Sequence, residues 1–158
     1  MIQVPGNGLT EEDAANPAGI REAAIRLLAR REHSRFELAR KLIRRGWSGP
    51  AVEEVIDELA GENLQSDERF AESYVRQRVA KAYGPVRIRA ELSERGIDRH
   101  QAAQALEAES PDWFAIAANW YERRYGPEPP ADLKEKSRRQ QALARRGFAH
   151  EHIRELFE

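Results

Sequence analysis

Apolar side chains recur along this chain at intervals of three and four residues. Val52, Val55, Ile56 and Leu59 show the spacing, as do Phe70, Tyr74, Val75 and Val79. That period predicts helices buried along one face, and no segment alternates as a strand would. Polar residues mark the boundaries. Ser34 with Glu37 reads as a capping box, Asp98 with Gln101 opens a second helix, Ser66 caps the stretch from Asp67, and Ser110 with Pro111 opens the segment carrying Trp113. Gly84-Pro85 ends one helix and starts the next. The predicted helices are 20–31, 34–45, 50–60, 67–82, 85–95, 99–108, 111–125, 133–146 and 150–157.

The pattern repeats. Leu42-Ile43-Arg44-Arg45-Gly46-Trp47, Leu92-Ser93-Glu94-Arg95-Gly96-Ile97 and Leu143-Ala144-Arg145-Arg146-Gly147-Phe148 share one form, with glycines 50 and 51 residues apart. Each block reads as a helix ending: Arg in the last turn favours the dipole, Gly takes the left-handed position, and a large apolar residue folds back. A second apolar cluster follows each glycine at equal offsets, Val52, Val55 and Ile56, then Ala102, Ala105 and Leu106, then Ile153, Leu156 and Phe157. The expected fold is therefore all-α, three tandem three-helix repeats in an elongated array, because units of about 45 residues seldom bury enough surface alone. The repeats are set at 20–62, 63–109 and 110–158. Residues 1–19, with Pro5, Gly6, Gly8 and Pro17, are expected to be flexible, with Thr10 and Asp13 permitting a short turn. In the third repeat Gly126-Pro127-Glu128-Pro129-Pro130 is a stiff connector, and Ala149 is a poor N-cap for the last helix.

Net charge over the 158 residues is -1, yet the signs are segregated. Residues 20–50 carry net +6, 51–75 net -7, 76–100 net +4, 101–135 net -4 and 136–158 net +3. The positive segments contain the middle helix of each repeat. Arg35, Arg40, Lys41, Arg44 and Arg45 lie in the first, Arg87, Arg89 and Arg95 in the second, and Lys136, Arg138, Arg139, Arg145 and Arg146 in the third. Stacked in like orientation, these helices would form a basic stripe suited to a long polyanion or an acidic groove. For any one arginine a solvated face or a helix-dipole contact is the plainer account. Segregation in all three repeats favours a stripe.

Candidate chemistry is sparse. With no Cys, the sequence excludes disulfides, thiol nucleophiles, iron–sulfur clusters and Cys-rich zinc sites. His150 and His152 point to different helix faces and are expected at the surface, while His33 and His100 have no evident nucleophile to activate. No phosphate loop, dinucleotide fingerprint or nucleophile elbow occurs, and neither catalysis nor a cofactor is expected. Met1–Asp13 has no basic start or apolar core and the longest apolar run is Trp113–Ala118, so neither secretion nor membrane insertion is expected and the cytoplasm is the default. Trp113, Ile116, Trp120 and Tyr121 line one helix side as core; Tyr83 is the aromatic expected to be exposed.

A set of motifs carries a resemblance. In the first repeat it is Leu27-Leu28-Ala29-Arg30-Arg31-Glu32-His33-Ser34 with Glu37-Leu38, Lys41-Leu42 and Gly46. In the second it is Ser66-Asp67-Glu68-Arg69-Phe70-Ala71 with Tyr74, Arg76, Arg78, Gly84, Ile88, Glu91-Leu92 and Gly96-Ile97; in the third, Arg146-Gly147-Phe148. Over about residues 20–158 the chain resembles the RecX family, regulators of the RecA recombinase. The resemblance implies tandem three-helix repeats and a non-enzymatic modulator. Such a protein binds the RecA filament on single-stranded DNA, lodges in its helical groove and typically inhibits strand exchange, ATPase and coprotease activity in recombination, DNA repair and the SOS response. The filament- or DNA-binding candidates are Arg35, Arg40, Lys41, Arg44, Arg45, Arg76, Arg78, Lys81, Arg87, Arg89, Arg138, Arg139, Arg145 and Arg146. The implied partners are the RecA filament and, mainly through it, single-stranded DNA, with the protein acting as a monomer. Acidic segments such as Glu53 to Asp67 are expected to meet basic protein surface. Two alternatives stand beside this: a DNA-binding regulator that uses one unit as a helix-turn-helix reader, and a plain helical scaffold, which would need no charge segregation.

Overall fold

The computed structural model describes residues 10–158. They form ten helices: α1 Glu11–Ala14, α2 Pro17–Arg30, α3 Arg35–Arg44, α4 Gly49–Gly61, α5 Asp67–Ala80, α6 Pro85–Glu94, α7 Arg99–Glu109, α8 Trp113–Tyr125, α9 Leu133–Arg146 and α10 His150–Glu155. There is no strand among the described residues. The chain divides into two compact units, one reaching Ala71 and including Arg95–Ile97, the other made of Glu72–Glu94 and Asp98–Glu158.

In the first unit α2, α3 and α4 close on Ile20, Leu27, Leu38, Leu42, Val52, Ile56 and Leu59. The capping box at α3 forms as expected: Glu37 N–H donates to Ser34 Oγ at 3.1 Å and Ser34 N–H to Glu37 Oε1 at 3.3 Å. Past Gly46 (φ 101°) Trp47 folds back and is buried, its N–H donating to the Leu42 carbonyl at 3.2 Å. That bond and the one from Gly46 N–H to the Ile43 carbonyl satisfy the last carbonyls of α3. The expected flexible segment 1–19 needs correction over its described part; residues 1–9 lie outside the described residues. Thr10 caps α1 through Asp13 N–H, and Asn16 caps α2 through Ala18 N–H with Pro17 in the first turn. Pro17 starts a helix because its missing N–H is one that the first turn leaves unpaired anyway. Ser48 N–H donates to the Ala14 carbonyl at 2.8 Å and ties this segment to the α3–α4 turn.

In the second unit Val75, Ile88, Leu92, Ala102, Ala105 and Leu106 are buried. A separate cluster of Ala117, Leu143, Phe148 and Ile153 is covered by Trp113, Ile116, Trp120, Tyr121, Leu156 and Phe157. Two backbone bonds connect the start of α6 to the end of α9, Gly84 N–H to the Arg146 carbonyl at 2.8 Å and Val86 N–H to the Gly147 carbonyl at 2.9 Å. This approach excludes side chains. A Cβ on Gly84 would lie 2.3 Å from Gly147 backbone, and one on Gly147, itself at φ 96°, would lie 2.2 Å from Arg87 Cβ.

The start of α8 differs from expectation. Ser110 is the left-handed C-cap of α7 (φ 52°), and Asp112 caps α8 by accepting from Ala115 N–H at 3.1 Å. Three residues, Ser110, Pro111 and Asp112, separate the helices where Ser110 and Pro111 were expected to open α8 directly. For α10, Ala149 offers no side-chain oxygen; instead its N–H donates to Nδ1 of His152 at 3.2 Å. His152, expected at the surface, is buried, with its ring edge-on to Phe114 at 4.8 Å.

Candidate recognition surfaces

The predicted basic residues separate into those held by internal partners and those left to solvent. On α3, Arg35 is held. Its Nη2 lies 2.8 Å from Glu53 Oε2 and 2.6 Å from Asp57 Oδ1, and its N–H donates to Asp67 Oδ1 at 2.7 Å. The Glu53 bond chiefly raises its pKa, with burial opposing and Asp57 adding. Lys41 is half-buried and its Nζ lies 2.9 Å from Nε2 of His33. Burial, followed by the charge of Arg31, lowers the Lys41 pKa. Because an ammonium only donates, Nε2 accepts, and the remaining His33 proton sits on Nδ1, which donates to the Arg31 carbonyl at 3.1 Å. Burial also lowers the His33 pKa and favours this neutral ring.

Arg40, Arg44 and Arg45 remain exposed, with no ion pair among the described residues. Arg40 lies 6.0 Å from the Phe36 ring centroid, and Phe36 is 48% exposed. On the neighbouring α4, the Glu53, Glu54, Asp57 and Glu58 side chains are exposed. Sign is thus segregated within this unit between adjacent helices, as the sequence predicts.

In the second unit the internal arginines gather on Tyr83. The guanidinium of Arg78 stands 3.7 Å from its ring centroid, that of Arg146 3.9 Å and that of Arg87 4.5 Å. Tyr83, expected to be exposed, is half-buried by these three side chains. Like charges tolerate this crowding because each has another partner. Arg78 makes two 2.8 Å bonds to the Glu91 carboxylate, Arg87 donates to Glu91 at 3.3 Å and to the Arg145 carbonyl at 3.2 Å, and Arg146 donates to the Lys81 and Ala82 carbonyls. Burial opposes ionisation of Glu91, yet Arg78 and Arg87 hold its pKa below the usual carboxylate value.

Arg139 is also internal. Only 5% exposed, it donates to Tyr121 Oη at 2.9 Å, the Glu128 carbonyl at 3.0 Å and Glu135 Oε1 at 2.8 Å, with Tyr125 under its guanidinium at 4.7 Å. Arg139 thereby ties Glu128 of the Pro-rich connector to α9, and Glu135 Oε2 accepts from Ala131 N–H just beyond it at 2.9 Å. Glu135 and Arg139 stand four apart, the spacing of an intrahelical ion pair, but nothing local in the sequence signals the reach to Glu128. By contrast Arg76, Lys81, Arg89, Arg138 and Arg145 are exposed, with no ion pair among the described residues.

Two hollows flank Phe157 and Lys136. One, about 420 Å³, lies between α9 and α10, and the other, about 590 Å³, is bordered by Tyr121, the Pro127–Pro130 connector and Leu156. Neither contains the exposed cations of α3 or α6. Among the described residues no helix is long and apolar enough to cross a membrane.

Three family models match the chain: RecX, first three-helix domain, over residues 21–59; RecX, second three-helix domain, over 66–106; and RecX, third three-helix domain, over 111–157. Among similar curated proteins, the regulatory protein RecX of Halorhodospira halophila is 47% identical, across 92% of this chain and 90% of its own. That of Chromohalobacter salexigens is 45% identical, across 85% and 88%, and that of Pseudomonas entomophila 41%, across 89% and 90%. The crystal structure of RecX from Lactobacillus salivarius has the same fold, with a TM-score of 0.75 at 24% identity over 92% of this chain and 96% of that one. A second crystal structure of regulatory protein RecX gives 0.75 at 25% identity, over 90% and 72%.

Proposed function

Because the chain belongs to the RecX family of regulatory proteins, built of three tandem three-helix domains, we propose that it binds the RecA filament assembled on single-stranded DNA and restrains it. Strand exchange, ATP turnover and coprotease activity of the filament fall as a result. The protein acts without catalysis of its own, as a monomer in the cytoplasm. We read its domains as residues 20–62, 63–109 and 110–158.

The observation that carries this reading is the division of the arginines. Internal partners engage Arg35, Arg78, Arg87, Arg139 and Arg146, while Arg40 and Arg44 on α3, Arg89 on α6 and Arg138 and Arg145 on α9 stay exposed and unpaired by any carboxylate among the described residues. Exposed cations on the middle helix of every domain suit an extended anionic partner. The acidic face of α4 supports a partner that offers basic protein surface as well, and bare DNA lacks one.

Anisotropy titrations against recombinase on single-stranded DNA, free recombinase and the bare DNA, in one buffer, test the reading. Affinity for the filament should exceed that for bare DNA at least tenfold, about 1.4 kcal/mol, and binding should slow ATP turnover. Equal affinity for filament and bare DNA would instead support the DNA-binding regulator.

A further inference from the structure

The outward face of α3 is not merely basic. Phe36 and Ile43 stand 48% and 46% exposed. At 100° per residue, positions 36, 40, 43 and 44 fall within a quarter to a third of the helix circumference, opposite the buried Leu38 and Leu42. Two large apolar groups, about 10 Å apart along the axis, therefore alternate with Arg40 and Arg44, neither of which has an ion pair among the described residues. Glu37, at the edge of this face, is occupied by Arg31 at 3.1 and 3.2 Å and by Ser34 N–H. The base of the Phe36 side chain is fixed against Gly96, where a Cβ would stand 2.6 Å from Phe36 Cβ. The ring is thus held at the surface.

A phosphate backbone would satisfy the arginines and leave Ile43 in water. A carboxylate-bearing protein segment with apolar side chains satisfies both. We propose that this face of α3 docks an acidic amphipathic segment of a partner protein, placing apolar side chains on Phe36 and Ile43 and carboxylates on Arg40 and Arg44. The inference rests on the reading above in taking the recombinase within the filament as that partner. It differs in assigning the contact to protein instead of nucleic acid. The charge of the face, positive with no free carboxylate, selects the acidic partner.

The test uses the full chain, its Ile43→Ser variant and an Arg40→Gln, Arg44→Gln variant. Each is titrated against filament, bare single-stranded DNA and a synthetic helical peptide bearing Leu at i and i+7 flanked by Glu, with a Leu-to-Ser version of the peptide as control. Urea midpoints confirm folding; the double Gln variant alters only exposed side chains and keeps the test open should Ile43→Ser unfold. Expected are a loss of at least about fivefold for Ile43→Ser on the filament, no change on bare DNA, and at least about fivefold preference of the unsubstituted chain for the Leu peptide. The double Gln variant should lose affinity for the peptide as well as for the filament. Unchanged filament binding by Ile43→Ser, an equal loss on bare DNA, or no preference between the peptides overturns the docking face and leaves the filament reading standing. Preference for the Leu peptide without filament binding supports the face and overturns the filament reading.

Discussion

Replacing Gly84 by Ala adds one methyl group where the backbone of Gly147 leaves no room. The new Cβ would fall 2.3 Å from the carbonyl carbon and oxygen of Gly147 and from the Phe148 nitrogen. These are backbone atoms, unable to move aside as a flexible side chain could. Overpacking of this kind costs about 1–3 kcal/mol. Opening the contact to relieve it strains the bonds from Gly84 N–H to Arg146 and from Val86 N–H to Gly147, each contributing about 1 kcal/mol. The sum is about 3 kcal/mol or more, equivalent in a chain of this size to roughly 6–12 °C in Tm. Gly61→Ala is the control. A Cβ there meets nothing within 4 Å, and the residue lies in α4, so the same substitution should stabilise by up to about 1 kcal/mol. Urea unfolding followed by circular dichroism measures both, with m-values compared to confirm that the unfolded states match. If Gly84→Ala came within about 1 kcal/mol of the parent, the close backbone approach would not exist as described.

Acidification should destabilise the fold in two stages, read as urea midpoints between pH 8 and pH 3. The His33 pKa is lowered in the folded state by burial, so the unfolded chain takes up the proton first: this contribution is complete above about pH 6.5 and is lost as pH falls through the folded value. Burial raises the Glu37 pKa, but the bonds and charge of Arg31 outweigh it, so its contribution is lost only below the ordinary carboxylate value of 4.5. His33→Gln should remove the first stage and keep the second. Tyr83→Leu takes the ring from three guanidinium groups and should cost about 1–3 kcal/mol by the same assay, whereas an exposed tyrosine would cost almost nothing. Arg40→Glu with Arg44→Glu should shift Tm by less than about 3 °C, since both side chains are exposed. It should weaken filament binding tenfold or more and flatten its salt dependence; unaltered binding across salt would make these arginines ordinary solvated surface.

Where the determinants are local, the sequence by itself determined the outcome. The left-handed glycines at 46, 96 and 147, the buried Trp47, Ile97 and Phe148 after them, and the caps at Ser34, Ser66 and Asp98 were legible because a helix end depends on a few neighbouring residues. Segregation of charge along the chain was legible for the same reason. Pro17 and Ser110 were misread because each residue type serves two opposite local roles, and packing around Ser48 and the turn at Asp112 chose between them.

Which cation is internal was beyond local reasoning. Arg139 and Arg138 are adjacent and identical in type, yet one reaches Glu128 and Tyr121 while the other stays in solvent. Gly84 reads as helix punctuation in the sequence, but the backbone of Gly147, 63 positions on, allows no side chain there. His152 was expected at the surface and is buried because α8 brings Phe114 to it. Contacts between residues distant in the chain depend on where whole helices come to rest, and only the tertiary structure decides that.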